Sequence, residues 1–173
     1  MDWAFPKTNV AAFDKDGTPT FINAPVPARV SLNGAMDLTW VWAVEKGYAV
    51  RDNIGGAART MSTALPNGST FGIVVFPARS AGKLNAADVL PDSPAGFEGD
   101  HAMHQTDTID YEVILTGKID LVLPGNQRRT LVAGDLNITA GVPHAWENHY
   151  DEDCIFAAVT VGIHSKQAEY LAD

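Results

Sequence analysis

Short apolar segments separated by turn residues are the feature that most constrains how this chain folds. The segments are rich in Val, Ile, Phe and Thr, and Gly, Pro, Asn and Asp interrupt them at short intervals. Branched and aromatic residues favour extended backbone, whereas the interrupting residues favour turns. The pattern predicts an all-β protein with strands at residues 19–23, 39–44, 60–64, 71–76, 110–115, 118–123, 129–132, 135–139 and 154–161.

The length and the strand spacing predict one domain with three parts. A chain of 173 residues can bury a substantial core, and regularly spaced strands indicate a sandwich or a closed barrel such as a jelly roll. We predict an N-terminal β extension over residues 1–66 that packs on a barrel over residues 67–164, followed by a short helix or tail over 165–173 with Ser165 as its cap. Residues 84–100 are expected to form a long loop beside a pocket.

Composition excludes several classes of function. The single cysteine, Cys154, rules out an internal disulfide framework and a thiolate zinc cluster, and its apolar surroundings predict a buried, inert thiol. The formal net charge of -9 disfavours nucleic acid and anionic membranes as partners. No apolar stretch is long enough to span a bilayer, and residues 1–5 lack the features of a signal peptide. We therefore expect a cytoplasmic protein that binds a small molecule.

Polar residues at alternate positions mark one strand as the wall of a site. If residues 104–112 stay extended, one face carries five polar side chains, at His104, Thr106, Thr108, Asp110 and Glu112. The intervening apolar residues, among them Tyr111, would pack against an outer layer. Buried polar groups cost about 1 to 3 kcal/mol each when unsatisfied, so this face predicts a ligand, a metal or ordered water in the interior.

Two segments resemble the sequence motifs of the cupin superfamily. Residues 134–148 hold a glycine, then Gly-x-x-His ending at His144, then Asn148 four residues later, as in the second cupin motif. The segment from His104 to Gly117 is similar to the first motif, with Asp110 in the place of its Glu and Thr106 in the place of its second His.

The resemblance implies a double-stranded β-helix, or jelly-roll, barrel that commonly forms homodimers. It also implies that His104, Asp110 and His144 bind a divalent metal such as Fe, Mn, Ni or Zn, with Asn148 in support. Two histidines and one carboxylate with open positions suit any of these ions. The alternative is a site without metal, whose polar face holds ordered water.

Other residues are candidates for direct roles. Glu112 is predicted to be a general acid or base, because burial and the nearby Asp110 would both raise its pKa, although a salt bridge is the alternative. His101, three residues from His104, is predicted to rim the pocket and is a second candidate for proton transfer. Thr106, Thr108 and Trp146 are predicted to contact substrate.

Three functions remain open from the sequence. The first is a metal-dependent lyase, isomerase, decarboxylase or cyclase that combines Lewis-acid and acid-base chemistry on a small oxygenated metabolite. The second is an Fe(II) dioxygenase, which Thr106 disfavours. The third is a non-catalytic module that binds a small molecule. An anionic ligand would need local positive charge, for which Arg79 and Arg128 are the candidates.

Overall fold

The computed structural model describes residues 6–24, 26–45, 54–56, 64–88, 90 and 101–163. These residues form eleven strands and one short 3-10 turn, Ala86–Asp88. The strands are β1 (Val10–Phe13), β2 (Pro19–Ile22), β3 (Ala28–Leu32), β4 (Met36–Val44), β5 (Ser69–Phe76), β6 (Thr108–Thr116), β7 (Lys118–Leu123), β8 (Gln127–Val132), β9 (Leu136–Ala140), β10 (Ala145–Glu147) and β11 (Cys154–Gly162).

All strand pairs are antiparallel. A six-stranded sheet has the order β3-β4-β5-β11-β6-β9, a three-stranded sheet has the order β10-β7-β8, and β1 pairs with β2 in a separate hairpin. The chain crosses between the two larger sheets from β6 to β7, from β8 to β9, from β9 to β10 and from β10 to β11, so the arrangement is a jelly roll. The all-β prediction is confirmed.

Tight turns with positive φ angles connect the strands at predicted places. Gly117 joins β6 to β7 with a φ of 69°, and the β7–β8 turn has φ values of 75° at Gly125 and 57° at Asn126. Glycine has no Cβ and asparagine tolerates this conformation, so these residue types permit the turns.

The core is formed by the facing sides of the two sheets. Phe76 and Ile114 of the large sheet and Ile119 of the small one are at most 2% exposed. Trp146 of β10 packs on Phe156 of β11 with ring centroids 5.0 Å apart, which joins the sheets. Cys154 is buried and unpaired, and burial raises the pKa of its thiol to about 12, as expected for an inert residue.

The outer face of the large sheet departs from the sequence-based prediction. Residues on this side of β6 were expected to pack under an outer layer, but Tyr111, Val113 and Leu115 are 46%, 39% and 40% exposed. The described strands among residues 1–66 do not cover them, because β3 and β4 extend the same sheet instead. Strands β1 and β3 were not predicted, whereas β10 follows His144, where the sequence predicts the start of a new strand.

Some predictions fall on residues outside the described ranges. These are most of the strand at 60–64, the larger part of the loop at 84–100 and the C-terminal helix that begins at Ser165. The division into an extension, a barrel and a tail stays a prediction. None of the helical segments in the described residues is long and apolar enough to cross a membrane.

Candidate functional site

Two histidines from distant parts of the chain meet at the end of the barrel. His104 and His144 form an isolated antiparallel bridge in which each backbone N–H donates to the other carbonyl at 2.9 Å. Their ring centroids are 4.3 Å apart. Gly141, with a φ of 65°, makes the turn after β9, and the Gln105 side-chain amide donates to its carbonyl at 2.8 Å. The predicted meeting of the two motifs is thereby observed.

Backbone carbonyls fix the orientation of both rings. His104 Nδ1 lies 2.9 Å from the Ala102 carbonyl, and His144 Nδ1 lies 2.9 Å from the Val142 carbonyl. A carbonyl only accepts, so each Nδ1 carries a hydrogen. Burial, and then the electrostatic effect of the neighbouring His104, lower the pKa of His144 to about 4. At neutral pH, His144 is therefore uncharged, with its proton on Nδ1 and the lone pair on Nε2.

Strand β6 places two carboxyl groups on the inner face. Asp110 and Glu112 are two positions apart, and both side chains reach the interior cavity. The register sets Glu112 opposite Asn137 of β9 and Asp110 opposite Thr139. Asn137 Nδ2 donates to Glu112 Oε2 at 3.0 Å, and Thr139 Oγ1 donates to Oε1 at 3.3 Å. Strand β9 thus holds the Glu112 carboxyl in place.

The two carboxyl groups differ from ordinary surface acids. Burial raises the pKa of Asp110 to about 6, against a hydrogen bond from Thr108 that lowers it. Burial, and then the charge of Asp110, raise the pKa of Glu112 to about 7. Asp110 Oδ1 is buried and has no hydrogen-bond partner among the described residues. A buried acceptor left unpaired is costly, which points to a proton or a bound molecule at this atom.

The carboxyl and imidazole groups share one cavity of about 120 Å³. For comparison, an apolar cavity of roughly 150 Å³ accommodates benzene. The other walls are mainly apolar and come from both sheets and the 84–90 segment: Met36, Leu38, Trp40, Val74, Phe76, Leu84, Ala86, Leu90, Trp146, Phe156, Ala158 and Thr160. Trp146, predicted to contact substrate, lines this cavity.

Three predicted site residues do not line the cavity. His101 is exposed, and its carbonyl accepts from the Ala86 N–H at 2.7 Å. The hydroxyls of Thr106 and Thr108 lie 2.7 Å apart, and Thr108 is 1% exposed. The alternation of faces begins only at β6, whose first residue is Thr108, because residues 105–107 are not part of a strand. The roles predicted for these residues stay predictions.

The described side chains do not form the predicted three-ligand metal centre. In this part of the chain, no three His, Cys, Asp or Glu side chains are placed so that they could hold one metal ion. His104 and His144 are adjacent, but Asp110 does not complete a group with them. The chemistry of the pair suits a metal, whereas the donor set is short of a third ligand.

Asn148 links the end of β10 to its surroundings. It is 0% exposed, its Nδ2 donates to the carbonyls of Phe76 and Glu152 at 2.9 Å each, and its Oδ1 accepts from the Tyr150 N–H at 2.9 Å. The supporting role expected from the second motif is therefore structural.

Both segments that resemble the cupin motifs lie on one jelly roll, which decides the type of fold. The fold is cupin-like.

No protein-family model matches this chain. The cupin-like chain is 38% identical over 85 residues to phomopsin biosynthesis cluster protein C' of Diaporthe leptostromiformis, covering 49% of this chain and 35% of that protein. It is 46% identical over 65 residues to phomopsin biosynthesis cluster protein D of the same organism, covering 38% and 31%. The matched part therefore spans about a third of the length of these relatives.

Solved structures give more distant likenesses. AerE from Microcystis aeruginosa is 16% identical with a TM-score of 0.47, covering 79% of this chain and 46% of that one. KdgF from Halomonas sp. is 12% identical with a TM-score of 0.44, covering 86% and 93%.

Sequence reasoning did not find Asn137 and Thr139. Their alternation with exposed Ile138 is visible in the sequence, but their contact with Glu112 depends on the pairing of β9 with β6. Arg79 and Arg128, the candidates for local positive charge beside an anionic ligand, are both paired with carboxylates in the structure. Arg79 lies 2.6 Å from Asp151, and Arg128 bridges Asp120 at 3.0 Å and Glu147 at 2.6 Å.

Proposed function

We propose that this chain is an enzyme that moves a proton on a small oxygenated metabolite, with Glu112 as the general acid or base. The observation that carries the proposal is the pair of inward carboxyl groups in an otherwise largely apolar cavity, one of them with an unpaired buried oxygen. Such a pair favours protonation of one carboxyl, since two buried negative charges on one face of a strand repel each other. A group that titrates near the working pH is well suited to proton transfer.

The walls restrict the substrate. A cavity of about 120 Å³ accepts a group about the size of benzene or smaller. Trp146 and Phe156 offer it apolar contact, while neutral His144 presents the acceptor Nε2 to a substrate hydroxyl or enol. Glu112 Oε1 or Oε2 gives or takes the proton, and Asn137 and Thr139 hold that carboxyl as its charge changes.

The reaction class follows from this proton transfer. Isomerisation, dehydration and ring closure each need a proton removed beside a carbonyl and returned elsewhere, and decarboxylation needs one delivered. The names of the relatives refer to biosynthesis clusters. We propose a lyase or isomerase type of activity in the assembly of a small natural product.

The metal-dependent form of this reaction stays a prediction, as does the Fe(II) dioxygenase. A divalent ion on His104 and His144 would supply a Lewis acid for a substrate oxygen. Elemental analysis of protein purified without added metal, compared with His144→Ala, tests this directly. If the two imidazoles bind a metal, we expect metal only in the unsubstituted protein. If neither the unsubstituted protein nor His144→Ala contains metal, metal dependence is contradicted.

Isotope exchange tests the proposed proton transfer. The protein is incubated in D2O with small enolisable ketones and 2-oxo acids, and deuterium at the carbon beside the carbonyl is followed by NMR. We expect exchange at least about 100-fold faster than without protein, and loss of that rate in Glu112→Gln. The exposed Glu152 provides the matched control Glu152→Gln, which should leave the rate unchanged.

A ligand-binding experiment distinguishes a protein that binds small molecules without catalysis from one whose cavity binds none of them. Members of the same panel that shift the Trp146 indole signal without exchanging deuterium would indicate a non-catalytic binding module. No exchange with any member of the panel would contradict the proposed enzyme.

A further inference from the structure

A second groove lies where the two sheets of the barrel fail to join. Among the described strands, β8 ends the small sheet and β9 ends the large sheet, so each has one edge that no other described strand pairs with. Residues of β7, β8 and β9 line a cavity of about 460 Å³ at this seam. The volume of this groove exceeds that of the interior cavity. The groove opens beside β9, the strand whose side chains donate hydrogen bonds to Glu112.

The strand register turns Arg129 toward this groove. Leu121 of β7 pairs directly with Trp146 on one side and with Arg129 on the other. Directly paired residues of antiparallel strands point to the same face, and Trp146 points into the barrel. Arg129 therefore lies on the inner side of the small sheet, at its open edge.

Arg129 differs from its neighbour Arg128 in its ion pairs. Arg128 also lines the groove, but Asp120 and Glu147 form ion pairs with its guanidinium at 3.0 and 2.6 Å. Among the ion pairs formed by the described residues, none includes Arg129. No Asp or Glu from the described part of the chain lines the groove either. The groove is thus a positively charged site on a chain whose net charge is -9.

The groove and the interior cavity share a wall. Asn137 and Thr139 line the groove, and both donate hydrogen bonds to Glu112, which lines the interior cavity. A ligand in the groove would therefore share the side chains of Asn137 and Thr139 with the proposed acid or base. A guanidinium is a planar fork whose geometry matches a carboxylate.

We infer that the β8–β9 groove is a second ligand subsite, in which Arg129 binds a carboxylate group of the metabolite. The claim that this ligand is the substrate rests on the proposed function. The claim that the groove binds a carboxylate does not, because a binding experiment tests it directly. The subsite adds a substrate class to the proposed function, namely small oxygenated acids.

Benzoate and benzamide form a matched pair of probes, since they differ in charge and hardly in size. Each is titrated into the isotope-labelled protein, and backbone amide shifts are followed by NMR. We expect benzoate to shift the signals of residues 127–130 and 137–139, with weaker binding as salt is added. Benzamide should leave these signals in place.

Two substitutions identify the cation. Arg129→Gln should weaken benzoate binding about fivefold or more, which corresponds to the loss of a charge-assisted contact at a partly exposed site. Lys15→Gln removes one positive charge from the exposed β1–β2 turn and should change the affinity less than about twofold. A dispersed spectrum of each variant shows that it is folded.

The outcomes distinguish this inference from the proposed function. Three results would each overturn the subsite. Benzoate binding is unaffected by Arg129→Gln, or the protein binds inorganic phosphate but not benzoate, or benzoate shifts no signal of β8 and β9. Groove binding that depends on Arg129 supports the subsite even when the deuterium exchange experiment fails.

Discussion

At the scale of single residues, burial determines the behaviour of Glu112. The residue is 4% exposed and the pKa of its carboxyl is raised to about 7, whereas a Glu in an unfolded chain titrates near 4.3. Between these values the folded state binds more protons than the unfolded state. Linkage then requires the free energy of unfolding to fall as pH rises through this window.

Comparison with Glu112→Gln isolates this effect, because glutamine does not titrate. We expect the unfolding free energy of the unsubstituted protein, minus that of Glu112→Gln, to fall by about 2 kcal/mol from pH 5.5 to pH 8. His144 has the opposite dependence, but it is present in both proteins and its contribution largely cancels. Urea unfolding at several pH values measures the difference, and this range avoids precipitation near the pI of about 4.8. A difference that does not change with pH would mean that Glu112 is already ionised in the fold.

Asn148 provides a second prediction at this scale. Asn148→Ala removes three hydrogen bonds and leaves the Phe76 carbonyl without this donor in a buried position. We expect a loss of about 3 kcal/mol in unfolding free energy. Asn23→Ala, at an exposed position, should stay within about 0.5 kcal/mol of the unsubstituted protein. Equal effects of the two substitutions would contradict the structural role of Asn148.

At the scale of strands and turns, two glycines with similar φ angles allow a matched test. An added Cβ at Gly117 would overlap the Asp153 carbonyl, whereas at Gly125 it would meet nothing within 4 Å. We expect Gly125→Ala to cost about 1 kcal/mol for its backbone conformation alone. Gly117→Ala should cost at least about 3 kcal/mol, since the β6–β7 turn must also move. Thermal unfolding of both variants measures this, and similar losses would place Asp153 farther from the turn.

At the scale of the whole molecule, the outer face of the large sheet is a broad apolar surface. It comprises side chains on four adjacent strands that are 36% to 74% exposed: Phe71, Tyr111, Val113, Leu115, Leu136, Ile138 and Val159. A whole aromatic side chain offers roughly 150 to 250 Å², so the exposed parts add to several hundred Å². This approaches the roughly 800 Å² that each partner buries in a stable complex.

We propose that the predicted homodimer forms through this outer face. Ile138→Asp, at a position 64% exposed, should shift the protein toward monomer in sedimentation experiments without lowering its unfolding temperature as a monomer. Phe21→Asp, at a position 79% exposed on β2, should leave the association unchanged. A monomer at all concentrations, or an equal effect of both substitutions, would contradict this interface.

The sequence by itself determined most of the strands and the two motif segments. Lys118–Leu123 was predicted with its observed bounds, and the main strands from β5 onward were predicted within two residues at either end. These features depend on local preferences, namely alternation along a strand and the turn residues that end it. The face of β6 that carries Asp110 and Glu112 follows from the same alternation.

Only the tertiary structure decided which of these residues form a site. The pairing of β6 with β9 brings Asn137 to Glu112, and the pairing of β7 with β8 turns Arg129 inward. His104 meets His144, but Asp110 does not join them in a three-ligand group. The spacing of the motifs in the sequence does not distinguish these two outcomes. Register, burial and distance depend on how separate segments pack, and a shift of one residue reverses every face. Local sequence fixes which residues are polar, whereas packing fixes which of them meet.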